Sequence, residues 1–191
     1  MGVRAELIAA GPEVRNKRVA PHDLRDFGMS ELKPAPQRVQ DAANRLGLAV
    51  RVVEMTQSTR TAEEAAAACG CNVAQIIKSL VFRGKKSGNP VLLLVSGANR
   101  VDQKGVASAI GEVLDRPDAT YVREVTGFAI GGIPPFGHAQ ALPTWIDEDL
   151  LQYPTVWAAA GSPEAVFEVD PRKLAETIGA VVIWVKGGGS A

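Results

Sequence analysis

Ile76-Ile77-Lys78-Ser79-Leu80-Val81-Phe82 and Pro90-Val91-Leu92-Leu93-Leu94-Val95-Ser96 are two apolar, β-prone runs, joined by Lys85-Lys86-Ser87-Gly88-Asn89. Together they read as neighbouring strands with a hairpin-like connection. Outward from this pair, helical and strand patterns alternate. Pro36 to Leu46 carries Val39, Ala42, Ala43 and Leu46 at helical spacing, and Gly47 stops it. Ala49 to Met55 is strand-like. Thr61-Ala62-Glu63-Glu64 is a capping-box pattern that opens an alanine-rich helix ending near Gly70. Asp102 caps a helix running to about Gly111. Asp170-Pro171 opens another, closed by Gly179. Thr120 to Val122 and Phe128 to Ile130 read as short strands around a turn of helix, and Leu142 to Ile146, Thr155 to Ala159, Ala165 to Val169 and Val181 to Val185 read as strands. Many strands with short Gly/Pro connections imply an α/β (α+β) fold. Its sheet is expected to be mixed, curved and partly barrel-like, with helices packed outside.

Length and composition bound the rest. A chain of 191 residues is long enough for one well-buried domain. Residues 1–28 mix charges without a sustained period and read as an irregular N-terminal extension, before a domain over 29–186 and a Gly-rich flexible tail at 187–191. No apolar run approaches the roughly 20 residues of a membrane span, and no secretory pattern opens the chain. Formal net charge is zero and aromatics make up 5%, which argues against a broad nucleic-acid face or a base-stacking platform. Cys69 and Cys71, without a second pair or a histidine cluster, make a poor zinc site. Two reduced thiols fit a cytoplasmic protein. No metal or cofactor is expected.

Two features carry chemistry. Lys78 sits in an apolar strand, where period 2 puts Ile76, Lys78, Leu80 and Phe82 on one face. A lysine there costs desolvation unless it meets an anionic or strongly polar partner. It could snorkel at a sheet edge, form a Schiff base, or hold phosphate or carbonyl oxygen as a cation. The second feature is Gly131-Gly132-Ile133-Pro134-Pro135-Phe136-Gly137-His138. Glycines permit unusual φ, and prolines fix φ and remove N–H groups, so this loop is stiff with a few N–H groups left to bind a ligand. Composition alone equally allows an ordinary turn.

The segments Val73 to Phe82, Val95-Ser96-Gly97, Thr126 to Gly137 and Ile146-Asp147, in that order, resemble the YbaK/ProX family. These are free-standing relatives of the editing domain of bacterial prolyl-tRNA synthetases. The resemblance spans about residues 35 to 185, and its specificity lies in the lysine strand combined with the G-x-x-x-P loop. It implies a trans-editing deacylase that cleaves the ester of a mischarged tRNA, often tRNA for proline. Such a second sieve is useful where a synthetase pocket discriminates poorly between amino acids of similar size.

By that resemblance Lys78 would hold the terminal adenosine or its phosphate. Gly131 and Pro135 are the first glycine and the proline of the G-x-x-x-P loop. Backbone N–H groups of this loop, which includes Gly132, Ile133 and Pro134, would stabilise the carbonyl oxygen. Asp147 could orient the substrate's amino group or cap the segment that follows it. Ser79 either borders the amino-acid pocket or faces the other side of the sheet, and Gly161 resembles a small-residue turn lining the same pocket.

The histidines are His22 and His138. His138 could serve as a base or fix the loop by a hydrogen bond. Synthetase-embedded editing domains use a histidine further downstream, and none stands between Gly161 and Phe167 here. Hydrolysis is therefore expected to rely on bound water and the substrate's own ribose hydroxyl. The partners expected are the 3′ CCA end of aminoacyl-tRNA and prolyl-tRNA synthetase, with no DNA and no membrane. Arg83, Lys85, Lys86, Arg100 and Lys104 are candidates for phosphate contact. A non-catalytic module that binds aminoacyl-adenosine or a synthetase is the rival reading.

Overall fold

Caps written in local sequence set the helices. The structure, a computed structural model, describes residues 31–186. The expectations for residues 1–28 and 187–191 lie outside the described residues. The chain divides into two units, Met1–Ser30 and Glu31–Ala191, and everything described belongs to the second. Its first helix, α1 (Pro34–Arg45), turns Val39, Ala42 and Ala43 inward. In α2 (Ala62–Cys69), Thr61 accepts a hydrogen bond from Glu64 N, and Gly70 closes the helix in the left-handed region. Asp102 caps α3 (Gln103–Ile110) and Asp170 caps α5 (Pro171–Ile178).

One helix departs from expectation. Thr120 to Val122 lies inside α4 (Ala119–Thr126), and Phe128 to Ile130 forms no strand. Asp118 accepts from Tyr121 N and Gly127 adopts φ 74°, so the two caps outweigh the β preference of Thr120, Tyr121 and Val122.

The strands are β1 (Val52–Glu54), β2 (Ile76–Gly84), β3 (Pro90–Ser96), β4 (Leu114–Asp115), β5 (Thr144–Asp147), β6 (Val156–Ala159), β7 (Ala165–Val169) and β8 (Val181–Ile183). They pair in the order β1-β7-β6-β2-β3-β5-β8, with β4 added to β2. The sheet is mixed, as expected: β2 is antiparallel to β3 and parallel to β6, and β3 is parallel to β5. Leu92, Leu93, Leu94 and Val95 are fully buried, so β3 is covered on both faces. Leu92 and Leu94 join the larger core with α1, α4 and α5. Val91, Leu93 and Val95 meet Phe82 and Val106 of α3 on the other face. Burying each such side chain contributes about 1.5–3 kcal/mol.

The β2–β3 register positions the site. Ile76 C=O accepts from Gly97 N, and Gly84 N donates to Asn89 O. Between these points Lys78 faces Val95 and Ser79 faces Leu94 without a break. By alternation, even-numbered residues of β2 bond β3, while Ser79 and Val81 aim their N–H and C=O at the opposite edge. There the β6 ladder ends at Ile77 and β4 begins only at Arg83. The sheet therefore parts alongside Lys78 to Phe82.

Candidate functional site

A cavity of about 290 Å³ opens at that parting. Ile76 to Leu80 of β2 form one wall, Thr59 to Ala62 a second, and Ile130, Gly131, Ile133 and Ala159 the rest. The walls are locked to one another. Thr59 N and Oγ1 both donate to Pro163 O at 2.7 Å. Gly161 N donates to Gly132 O at 2.8 Å.

Gly132 packs so closely on the 161–164 turn that an added Cβ would stand 2.8 Å from the Ser162 backbone. Gly131 adopts φ 95°, which favours glycine. At the loop's start Arg38 donates to Gly127 O at 3.1 Å and stacks 3.9 Å over Phe128. Thr126, fully buried, donates to Val122 O and accepts from Phe128 N.

Between Gly131 and Pro135 the loop offers two main-chain donors. Pro134 and Pro135 have no N–H, and Gly132 N is spent on Ala129 O at 3.2 Å. Among the described residues, the N–H groups of Gly131 and Ile133 have no protein acceptor. The few N–H groups expected of the G-x-x-x-P stretch are thus these two amides, both of residues that line the cavity.

Lys78 is half-buried on the opposite wall, donating to Gly97 O at 3.1 Å and to Asn99 O. Burial pushes its ammonium below the ordinary lysine value. Glu63 and Asp147 oppose that push, and Arg100 adds to it. Ser79 alternates with Lys78 along β2. It points to the other face of β2, yet it borders the cavity, which wraps around the open edge. Its Oγ is buried without a hydrogen-bond partner among the described residues.

Other expected residues stand behind the cavity. Asp147 is fully buried. Its carboxylate accepts from Ser96 N at 3.1 Å, Asn99 Nδ2 at 2.7 Å and Asp149 N at 3.2 Å, capping the turn Glu148–Gln152. Of the two roles expected of Asp147, the structure shows the capping one, with three protein donors on its carboxylate. Gly161, Pro134 and Pro135 do not line the cavity: the two prolines are buried, and Gly161 meets the loop through its bond to Gly132 O.

His138 Nε2 donates to Pro134 O at 2.8 Å, with its ring edge-on to Phe128. Burial lowers its pKa, and the Pro134 carbonyl opposes this. No carboxylate, histidine or thiol lines the cavity among the described residues. Burial raises Cys69 to about 12 and Cys71 to about 11, so neither is an activated thiol. No metal-binding group of His, Cys, Asp or Glu occurs among the described residues.

Sequence reading missed Arg60, Thr59 and Asn99. Arg60 precedes a legible cap and brings a second cation to the rim. Asn99 reaches its acid partner across 48 positions. Of the basic residues proposed for RNA, Arg83 and Lys85 lie at the far end of β2, in a second cavity of about 310 Å³ with Arg116 and Tyr121.

The cavity can be set beside known proteins. Residues 56–177 match the model of the aminoacyl-tRNA editing domain. "Uncharacterized protein YwhH" of Bacillus subtilis is 36% identical over 126 residues, covering 65% of this chain and 79% of its own. "Putative Cys-tRNA(Pro)/Cys-tRNA(Cys) deacylase EbsC" of Enterococcus faecalis is 31% identical over 128 residues, covering 61% and 76%. A solved structure described as "a putative trans-editing enzyme for prolyl tRNA synthetase" superposes with a TM-score of 0.78 at 50% identity, covering 83% of this chain and 100% of that one. No helix among the described residues is long and apolar enough to cross a membrane. By sequence and by fold, this chain belongs to the YbaK-type aminoacyl-tRNA editing domain family, whose chemistry is the deacylation of aminoacyl-tRNA.

Proposed function

We propose that this protein hydrolyses, in trans and in the cytoplasm, the ester of tRNA-Pro carrying a small wrong amino acid. The observation that carries the reading is one cavity with the Lys78 ammonium on one wall and the free N–H groups of Gly131 and Ile133 on another. Lys78 holds the terminal adenosine or its phosphate. The two amides receive the carbonyl oxygen as negative charge develops on it. Water adds to the ester carbon, and the bond to the ribose oxygen then breaks. The proton from water passes to that oxygen, giving a free amino acid and a ribose hydroxyl.

No side chain on the cavity wall is suited to take that proton, which supports a relay through the neighbouring ribose hydroxyl. Gly132, Pro134, Pro135 and Gly161 fix the loop, and His138 fixes Pro134. Asp147 acts through the structure around Lys78. The unpartnered Ser79 hydroxyl sets the polarity of the amino-acid end. Alanine, cysteine, serine, threonine and 2-aminobutyrate are the side chains to compare, with the small ones favoured. The names of the relatives support tRNA-Pro as the carrier and a working partnership with prolyl-tRNA synthetase. Arg83, Lys85, Lys86, Arg100 and Lys104 supply phosphate contacts to the acceptor end, and a splayed CCA needs few of them.

The test is a deacylation panel of mischarged tRNAs with Lys78→Ala as control. Ester loss that depends on Lys78 is expected for at least one small amino acid on tRNA-Pro. No loss above the spontaneous rate with any substrate would refute hydrolysis and favour the non-catalytic binding module. Normal turnover by Lys78→Ala would refute the lysine role alone.

A further inference from the structure

We propose that Asn99 is a positioning residue for the Lys78 ammonium, which it holds through a main-chain turn anchored on Asp147 and Asp149. An ammonium has three N–H donors. Two of them go to the main-chain oxygens of Gly97 and Asn99, leaving one for a substrate. Both acceptors belong to the turn directly after β3, so the ammonium is placed only as well as that turn is placed.

Asn99 fixes the turn from three directions. Its N donates to Ser96 O at 2.9 Å. Its Nδ2 donates to Asp147 Oδ2 at 2.7 Å and to Asp149 Oδ2 at 2.8 Å. An amide nitrogen carries two hydrogens, and here each has a carboxylate. The carboxylates are held in turn: Ser96 N donates to Asp147, and Gln152 Nε2 donates to Asp149 at 3.0 Å. The Lys186 ammonium lies 2.7 Å from Asp149 Oδ2. One residue thus gives its carbonyl to Lys78 and its side-chain hydrogens to two buried or half-buried acids.

The chemistry admits few substitutes. Aspartate would have the shape but no donor, and would add a third carboxylate beside two. Alanine would leave the pair without its bridging hydrogens. The groups that face Lys78 electrostatically are Glu63 on α2, Asp147 at the end of β5 and Arg100 beyond the turn, and Arg60 shares its cavity. Hydrogen bonds to the charged form of a lysine favour that form, so loosening the two carbonyl acceptors disfavours it.

The experiment is a side-chain NMR titration of Lys78 in the full chain, comparing wild type, Asn99→Ala and Asn99→Ser. The Lys78 midpoint is expected to fall by about one pH unit in Asn99→Ala. In Asn99→Ser, which keeps one donor, it falls by less. An unchanged midpoint in a variant whose backbone amide spectrum is native overturns the proposal. If Asn99→Ala does not fold, Asn99→Ser decides by the same criterion. A second arm rests on the deacylase reading: kcat/KM on a mischarged tRNA falls about tenfold in Asn99→Ala and falls little further when Asn99→Ala is added to Lys78→Ala. Fully additive losses in the double variant would overturn the positioning role. Wild-type protein inactive on every tRNA would sink the deacylase reading, and the titration would still judge the brace.

Discussion

Gly132→Ala tests whether the loop's two free amides do the work assigned to them. The new Cβ would lie 2.8 Å from the N, Cα and C of Ser162, whereas ordinary contact begins near 3.4 Å. The obstacle is backbone, so no side chain can swing away. The loop and the 161–164 turn must part by about 0.6 Å, the difference between those two distances. That movement stretches the Gly161 N to Gly132 O bond of 2.8 Å and carries Gly131 and Ile133 with it. Overpacking of this kind costs about 1–3 kcal/mol. For a domain of this size each kcal/mol lowers Tm by about 2–4 °C. The rate suffers more, because a misplacement of about 1 Å costs on the order of 100-fold. A drop in kcat of about 10- to 100-fold is expected, read by single-turnover deacylation of mischarged tRNA-Pro, with melting followed by calorimetry. A variant with wild-type kcat would refute the assignment of the oxyanion to Gly131 and Ile133, whatever its Tm.

Gly131→Ala meets open space, with Arg60 Cγ at 3.6 Å, but must hold φ 95°, so it loses about 1–2 kcal/mol through backbone strain rather than collision. Its melting curve should shift with no change in the mobility of the 161–164 turn. Thr126→Val strips a fully buried hydroxyl from Val122 O and Phe128 N, and should cost about 1–3 kcal/mol in urea unfolding. Lys78 sits below the ordinary lysine value because burial disfavours its charge. Activity corrected for spontaneous hydrolysis should therefore fall, as pH rises, before the roughly 10.4 of a free lysine is reached. Lys186 at 2.7 Å, and then Asn99, hold the Asp149 carboxyl below the usual carboxylate range. A depressed folded pKa stabilises above the unfolded pKa and is lost as pH falls through the folded one. Lys186→Ala should thus melt earlier than wild type at neutral pH, with the two curves converging in acid.

Local signals were readable and distant ones were not. Thr61, Asp102 and Asp170 announce helices because a cap needs only the next three residues. Thr120 to Val122 misled because β-branched and aromatic residues outvoted Asp118 and Gly127, which the structure obeys. Lys78 was conspicuous as a charge in an apolar run, and the loop was conspicuous by its Gly and Pro content. Which loop amides remain free depends on Ala129 O accepting from Gly132 N, a detail of turn geometry that composition does not carry. Asp147 looked available to a ligand because nothing nearby in the chain marks Ser96 and Asn99 as its partners.

The lock between Thr59 and Pro163 joins residues 104 positions apart, and Ile77 meets Ala158, also far along the chain. During synthesis, Lys78 and the first half of the cavity leave the ribosome long before Gly161 and Pro163 exist. Contacts of such long range form late and slowly. A nascent or truncated chain lacking β6 and the turn after it would carry Lys78 on a strand without the cavity wall that Ala159 supplies. Esterase activity should therefore emerge only once the 161–164 turn is in place.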